Sequence, residues 1–369
     1  MRLWTRPVSL ICSGPISKTT CPKKAHNAQK EFSKHIRQSF CDFCAFCGQR
    51  IFLRWLLVVL VACTADPREN SPRPELSETK FATAVPRFDK DRAFRYLLTQ
   101  TNFGPRVPST EAHTRCLSFL KSELQAYADS VWLQEYTVSD PRLGSMVLTN
   151  VVAAFRPGSP SRILLTAHWD SRPWADSDKD PRNQTKPVPG ANDGASGVAV
   201  LLEVSRAIKT SPAPTGIDIV FFDGEDFGSH GKDDTWCTGS RYFAAHLPAG
   251  YAPHFGINLD MVGDKHLLLP REQRSDRYAP EVMKLIFSTA KELNIGQFSD
   301  TQGDDVYDDH IPLNEAGIRT ADLIDFDYSD GNSNFWHTTG DTPDKCSAES
   351  LEAVGVVLLQ LIYTKSSQF

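Results

Sequence analysis

Six short runs of acid and histidine carry the chemistry available to this sequence: His168-Trp169-Asp170, Asp193, Glu225-Asp226, Asp260, Asp308-Asp309-His310 and Trp336-His337. The most informative lies in Phe221–Phe227, where the apolar run Ile217–Phe222 ends abruptly in Asp223-Gly224-Glu225-Asp226. Adjacent side chains of a regular strand point to opposite faces, so Glu225 and Asp226 act together only where the backbone leaves the strand. Gly224 permits that departure. Two carboxylates side by side at the end of a buried strand repel each other unless a cation or a proton intervenes. A lone Glu-Asp pair is ordinarily a solvated turn, and a lone His or Asp at a strand end is ordinarily a cap. Six such sites in succession, each after a buried segment, point instead to a bound cation.

The elements that must position these residues alternate. Apolar spacing predicts helices over Arg92–Thr99 and Glu111–Ala126, then strands Val131–Tyr136, Met146–Phe155 and Arg162–Ala167. Beyond them come helix Gly194–Lys209, strand Ile217–Phe222, helix Ser240–His246 and strand Phe255–Leu259. Helix Pro280–Leu293, strand Thr320–Ile324 and a closing helix Ala348–Tyr363 complete the series. Such alternation implies a largely parallel sheet covered by helices, and the early hairpin-like strands make it mixed. The expected class is α/β: three layers, α/β/α, around a central mixed, mostly parallel sheet. Ligands of such sheets bind beyond the carboxyl ends of the strands, where the six runs fall.

The order His168-x-Asp170, Asp193, Glu225-Asp226, Asp260, His337 resembles the zinc-dependent aminopeptidase superfamily, with its phosphorylase/hydrolase-like fold. Three features resemble its glutaminyl cyclase branch: Tyr307-Asp308-Asp309-His310-Ile311-Pro312, Phe335-Trp336-His337-Thr338, and Gly239-Ser240-Arg241 after Phe222-Asp223-Gly224-Glu225. The run from His168 to Asp176, with Asp234-Thr235-Trp236-Cys237, is most similar to the bacterial cyclases. The peptidase branch is expected to carry Ser where this chain has Asp308. The resemblance implies one zinc held by Asp193, Asp226 and His337, three ligands that leave a position open for substrate. It implies Glu225 as the group that moves protons, Asp260 and Asp308 as a carboxylate pair sharing a proton, and Trp336 as a pocket wall. Trp174 and Tyr307 are further pocket candidates. His168 is either a residue behind the zinc ligands or a ligand of a second zinc, and His310 is expected to orient Asp308 or a neighbour. Two departures are visible. The animal cyclases have Glu where Asp226 stands, and a Trp six residues beyond the catalytic Glu where this chain has Gly231, so Trp174 or Trp236 is expected to rebuild that wall.

The implied reaction converts N-terminal glutamine of peptides or proteins to pyroglutamate with release of ammonia. The alternatives are a zinc aminopeptidase with water as nucleophile and, remotely, a non-catalytic surface binding protein on the same fold. Charge excludes a nucleic-acid partner: through Cys63 ten Lys/Arg face two acids, a net of +8, which leaves −13 on the following 306 residues. The first 63 residues read separately. Residues 1–52 look like an upstream extension of the gene model, in which Cys41, Cys44 and Cys47 have no fourth zinc ligand at the usual spacing, His35 being a weak candidate. Residues 53–63 pair a basic start with an apolar run, Trp55–Ala62, too short to span a bilayer but right for a signal segment. Leu60-Val61-Ala62-Cys63 resembles a lipobox, so a lipidated Cys63 and a periplasm-facing lipoprotein of the bacterial cell envelope are expected, the membrane being met only through that anchor. Residues 64–85, rich in proline, read as a flexible tether, and 86–369 as a single catalytic domain. The three later cysteines, Cys116, Cys237 and Cys346, allow at most one disulfide.

Overall fold

Strands rich in Ile, Val, Leu and Phe need both faces covered, and the chain supplies helices on each side. In the computed structural model residues 84–366 are described. The expected extension 1–52 with its cysteine cluster, the signal segment with Cys63, and all but the end of the 64–85 tether lie outside them. The chain runs α1 (Lys90–Asn102), α2 (Glu111–Tyr127), β1 (Ser130–Asp140), β2 (Gly144–Phe155), β3 (Arg162–His168), α3 (Ala195–Thr210) and β4 (Gly216–Phe222). It continues through α4 (Thr238–Ala245), β5 (Phe255–Asp260), β6 (Leu269–Arg271), α5 (Gln273–Tyr278) and α6 (Pro280–Glu292). Last come β7 (Phe298–Gln302), α7 (His310–Glu315), β8 (Thr320–Ile324) and α8 (Ala348–Gln360).

The main sheet has the order β1-β2-β4-β3-β5-β8. β3 pairs in parallel with β4 and β5, and β5 with β8, whereas β2 is antiparallel to β1 and β4. This is the mixed, mostly parallel three-layer sheet that the alternation implied. Period-two alternation sorts the side chains. Ile163, Leu165, Ile217, Ile219 and Phe221 enter one core with α1, α2, α3, α6 and α8. Leu164, Val220 and Phe222 face the other way, against Phe243 of α4 and Leu313 of α7. Each such side chain contributes about 2 kcal/mol when fully buried. Asp89, Thr110 and Ser347 cap α1, α2 and α8 by accepting backbone N–H bonds. α3 lies directly on β5: a Cβ on Gly197 would stand 2.4 Å from the Leu259 carbonyl oxygen. That close approach brings the start of α3, and Asp193 before it, against the ends of β3 and β5.

Every helix and strand expected from sequence is present, with ends displaced by a few residues. Four elements were not legible. β6 and β7 form a separate parallel pair, and α5 and α7 have six residues each. Phe298-Ser-Asp-Thr-Gln offers one apolar residue and α7 contains Pro312, so neither carries a periodic signal. Cys116, Cys237 and Cys346 are all buried free thiols. Among the described residues no helix is long and apolar enough to cross a membrane.

Candidate metal centre and catalytic cavity

Three turns at the carboxyl end of the sheet build the site. After β4, Gly224 has φ +74°, and a Cβ there would meet Leu148 Cδ1 at 2.5 Å and Thr238 Oγ1 at 2.7 Å. Glycine is the residue that this turn accommodates. Asp170, just past β3, accepts the N–H groups of Glu225 and Asp226 at 3.2 Å each and fixes the turn. Asp341 does the same for Asn192 and Asp193 at 2.8 and 3.2 Å. His337 sits in the left-handed region at φ +54°, its carbonyl accepting the Ser177 N–H at 3.2 Å. Cys237 and Met261, also in that region, stand at the same site, so half of the six such non-glycine residues among the described ones are gathered here. Asp170→Ala leaves two buried N–H groups unpaired and should lower stability by about 2–4 kcal/mol in urea denaturation. Asp170→Asn, which keeps an acceptor, should lose less.

These turns bring donor atoms of Asp193, Asp226 and His337 within 4.8 Å of one another. His337 Nε2 lies 3.1 Å from Asp226 Oδ1 and 3.6 Å from Asp193 Oδ2. Both Asp226 oxygens are buried without a hydrogen-bond partner. Burial pushes the Asp226 carboxyl up to about 8, against the pull of Arg172 and His168. Burial and the Arg172 charge hold His337 down to about 3, so its imidazole is neutral and able to ligate. Like charges 4 Å apart at an effective dielectric of 20 repel by about 4 kcal/mol, and a divalent cation between them reverses the sign. The residues present fit a metal ion.

A second group shares Asp193. His168 Nε2 lies 3.2 Å from Asp193 Oδ1 and 3.1 Å from Asp260 Oδ1, and the three residues could together hold an ion. Burial works against a charge on His168, but Asp260, Asp170 and Asp193 overcome it and raise the imidazole well above its ordinary value. His168 Nε2 thus stands between the two carboxylates, hydrogen-bonded to Asp260. Both roles left open by the sequence are therefore available to it.

A cavity of about 330 Å³ opens over these donors, large enough for a small side chain and its backbone. Glu225, Asp260, Asp308, Tyr307, Trp336 and Trp236 line it. Trp336 stacks on His337 with ring centroids 3.7 Å apart, and Trp236 lies parallel to the same imidazole at 5.9 Å. Glu225 is buried and outside the Asp193, Asp226, His337 group; the Cys237 thiol donates to its Oε1 at 3.5 Å. Burial, opposed by His168 and reinforced by Asp226, Asp308 and Asp309, raises its carboxyl well above the ordinary range. Asp308 accepts from Asn258 Nδ2 at 2.7 Å and from the Asp309 N–H at 2.5 Å. Burial and the Asp260 charge raise it to about 6.

The structure brings together most, but not all, of the residues singled out by sequence. Asp260 and Asp308 face one cavity, but no hydrogen bond joins them here: His168 engages one and Asn258 the other. His310 does not line the cavity but lies behind it, its ring between Glu272 Oε2 at 3.4 Å and Asp322 Oδ2 at 3.6 Å and within 4.8 Å of an Asp308 oxygen, beside the residue it was expected to orient. Trp174 is corrected as a pocket residue. Its indole packs with Phe227 and under the Arg142 guanidinium, 3.9 Å from the ring centroid, away from the cavity. Trp236 is the wall that stands there instead, because Gly228 leaves it room: a Cβ on Gly228 would overlap the indole at 2.1 Å. Sequence reading missed Asn258, Cys237 and the buried Arg172, which bonds Asp176 at 2.6 Å and the Asp226 carbonyl at 3.0 Å. The arginine carried one signal, its place two residues beyond the His-x-Asp run.

The chain belongs to Peptidase family M28, whose model matches residues 150–362. It is similar to the crystal structure of Tannerella forsythia glutaminyl cyclase at 41% identity, over 76% of this chain and 99% of that one, with a TM-score of 0.72. A Zn-dependent exopeptidase from Parabacteroides distasonis is similar at 38% identity, over 76% and 100% of the two chains, with a TM-score of 0.72. Aminopeptidase YwaD of Bacillus subtilis is 28% identical over 227 residues, 58% of this chain. The chain spans only 44% of the length of YwaD. The similarity to bacterial glutaminyl cyclases expected from the motifs is thus present along the folded chain.

Proposed function

We propose that this chain is a zinc-dependent glutaminyl-peptide cyclotransferase acting on peptides or proteins with N-terminal glutamine. The observation that carries this reading is the meeting of Glu225, Asp260 and Asp308, three buried carboxylates, in one aromatic-walled cavity beside the metal donors. In the reaction the substrate's α-nitrogen forms a bond to its own γ-carboxamide carbon. The bond from that carbon to the amide nitrogen then breaks, leaving a five-membered lactam and ammonia. Zinc held by Asp193, Asp226 and His337 would supply Lewis-acid polarisation of the amide carbonyl. The rest falls to the side chains. Trp336 and Trp236 confine the first residue, so ring closure meets little entropic cost. Glu225 takes a proton from the α-ammonium group and returns one to the departing nitrogen. Burial raises its affinity for protons above that of a free carboxylate, which suits the return of a proton to the leaving nitrogen. Asp308 and Asp260 accept hydrogen bonds from the leaving ammonia.

A second reading, a zinc exopeptidase using water, is favoured by the His168, Asp193, Asp260 group, which offers a second ion a site. Gln-peptide and Leu-peptide substrates separate the two. Pyroglutamyl peptide and ammonia from Gln, with no free leucine from Leu, support the cyclase; free leucine without lactam overturns it. In the same reading the enzyme is an envelope lipoprotein, and a lipidated Cys63 at the mature N-terminus is the mass-spectrometric test.

A further inference from the structure

The segment that follows β3 reaches two of the three metal donors from behind. Arg172, fully buried, donates through Nε and Nη2 to Asp176 Oδ1 and Oδ2 at 2.7 and 2.6 Å, a two-pronged pair. Its Nη1 donates to the Asp226 carbonyl at 3.0 Å and lies 3.6 Å from Asp226 Oδ1. The guanidinium lies over the Trp236 indole, 4.8 Å from the ring centroid, which shields it from water. Asp176 also stands against the far side of His337. Its Oδ1 lies 3.8 Å from His337 Nδ1, and its Oδ2 3.3 Å from Nε2 of His230 at the rim. Further bonds tie the same segment to the His337 loop. The Ser177 N–H donates to the His337 carbonyl at 3.2 Å, and Asp178 Oδ2 accepts from the Thr339 N–H and hydroxyl at 3.1 and 2.6 Å.

His337 Nε2 faces Asp226 and Asp193, so it is the nitrogen that ligates, and the single proton of the neutral imidazole then sits on Nδ1. That Nδ1 is buried and has no hydrogen-bond partner. A ligating histidine ordinarily donates its other N–H to a carboxylate or carbonyl, which fixes the ring and makes it a better ligand. The Arg172 fork uses one acceptor position on each Asp176 oxygen and leaves another on Oδ1, the oxygen beside Nδ1. We propose that Asp176 takes the Nδ1–H of His337 when the metal is bound, and that Arg172 grips Asp176 and the Asp226 turn together, so that the pair positions both ligands. Arginine suits this place because its planar fork serves the carboxylate while its remaining arm serves the carbonyl. Arg172 and Asp176 are positioning residues: they act through Asp226 and His337. The proposal rests on the reading of Asp193, Asp226 and His337 as the metal site, and not on which reaction follows.

The test is zinc affinity, measured by chelator competition on the full chain in the parent protein, Asp176→Asn and Arg172→Lys. Asp176→Asn turns one oxygen into a donor that opposes either Arg172 or His337. Arg172→Lys keeps the charge and loses the fork. Loss of such a partner costs about 10- to 100-fold in metal affinity, and both variants should fall in that range. Thermal unfolding separates this role from a plain anchor of the loop. An anchor's loss would lower the midpoints of zinc-free and zinc-bound protein alike, whereas here the rise that zinc gives should shrink with its affinity. Parent-level zinc affinity in either variant, or an undiminished rise with zinc, overturns the proposal. Where Arg172→Lys folds poorly, Asp176→Asn decides alone, since Arg172 keeps the Asp226 and Gly228 carbonyls as acceptors there. In the parent protein, proton spectra of isotope-labelled histidine should show a ring Nδ1–H that zinc protects from exchange with water; its absence likewise overturns the proposal. A parent protein that binds no zinc would overturn the metal reading itself. Zinc held equally well by all three proteins would overturn only the role of Arg172 and Asp176.

Discussion

Glu225→Gln should keep its metal and lose about 10²- to 10⁴-fold in turnover. The substitution is nearly isosteric. Its amide oxygen can still accept the Cys237 thiol, so the turn held by Asp170 and Gly224 keeps its shape. Glu225 lies outside the group formed by Asp193, Asp226 and His337, so metal content should match the parent protein by elemental analysis. What is lost is the proton acceptor. The parent enzyme should report that acceptor in its pH profile. Burial raises Glu225 above the ordinary carboxylate range, reinforced by Asp226, Asp308 and Asp309, so kcat/KM should fall on acidification at a pH higher than a free carboxylate would give. Bound zinc pulls the other way and lowers that midpoint. In Glu225→Gln the acid limb should vanish along with most of the rate. Full activity in the variant removes Glu225 from the proton-transfer role, and loss of metal would mean that it ligates.

His337→Ala should be as severe through a different step. Without the imidazole, Asp193 and Asp226 face each other in a buried pocket with one neutral ligand fewer. Losing even a residue that supports a ligand costs 10- to 100-fold in metal affinity in comparable sites, so loss of the ligand itself should exceed about 100-fold. After dialysis against a weak chelator the variant should hold little zinc and show no measurable turnover. Trp336 also loses the ring on which it stacks at 3.7 Å, so KM should rise in any activity recovered at high zinc. Added imidazole fits the space vacated and should restore part of the metal binding. A variant that retains zinc at the parent level would show that Asp193, Asp226 and His337 do not form the metal site.

The two substitutions separate jobs that adjoin in sequence. Glu225 and Asp226 are neighbours, yet only Asp226 faces His337, because Gly224 turns the chain and Asp170 holds both N–H groups in place. Asp226 reaches His337 Nε2 at 3.1 Å although it is one methylene shorter than the Glu of the animal cyclases.

By itself the sequence determined the layered α/β fold and the order of the strands that end in acid or histidine, while Asp193, Asp226 and His337, with Glu225 beside them, came from the family resemblance. The physical reason is local. Buried strands advertise themselves as apolar runs, and the polar residue that ends each run stands at one edge of a parallel sheet. Tertiary structure decided what depends on distant segments meeting. It seated Trp236 rather than Trp174 in the wall, since that choice turns on space above Gly228 and on where Arg142 lies. It tied Asp308 to Asn258, set His310 behind the cavity, and drew Asp176 to within 3.8 Å of His337. None of these has a period or a spacing, because each is set by the packing of loops whose composition alone would suit any solvated turn.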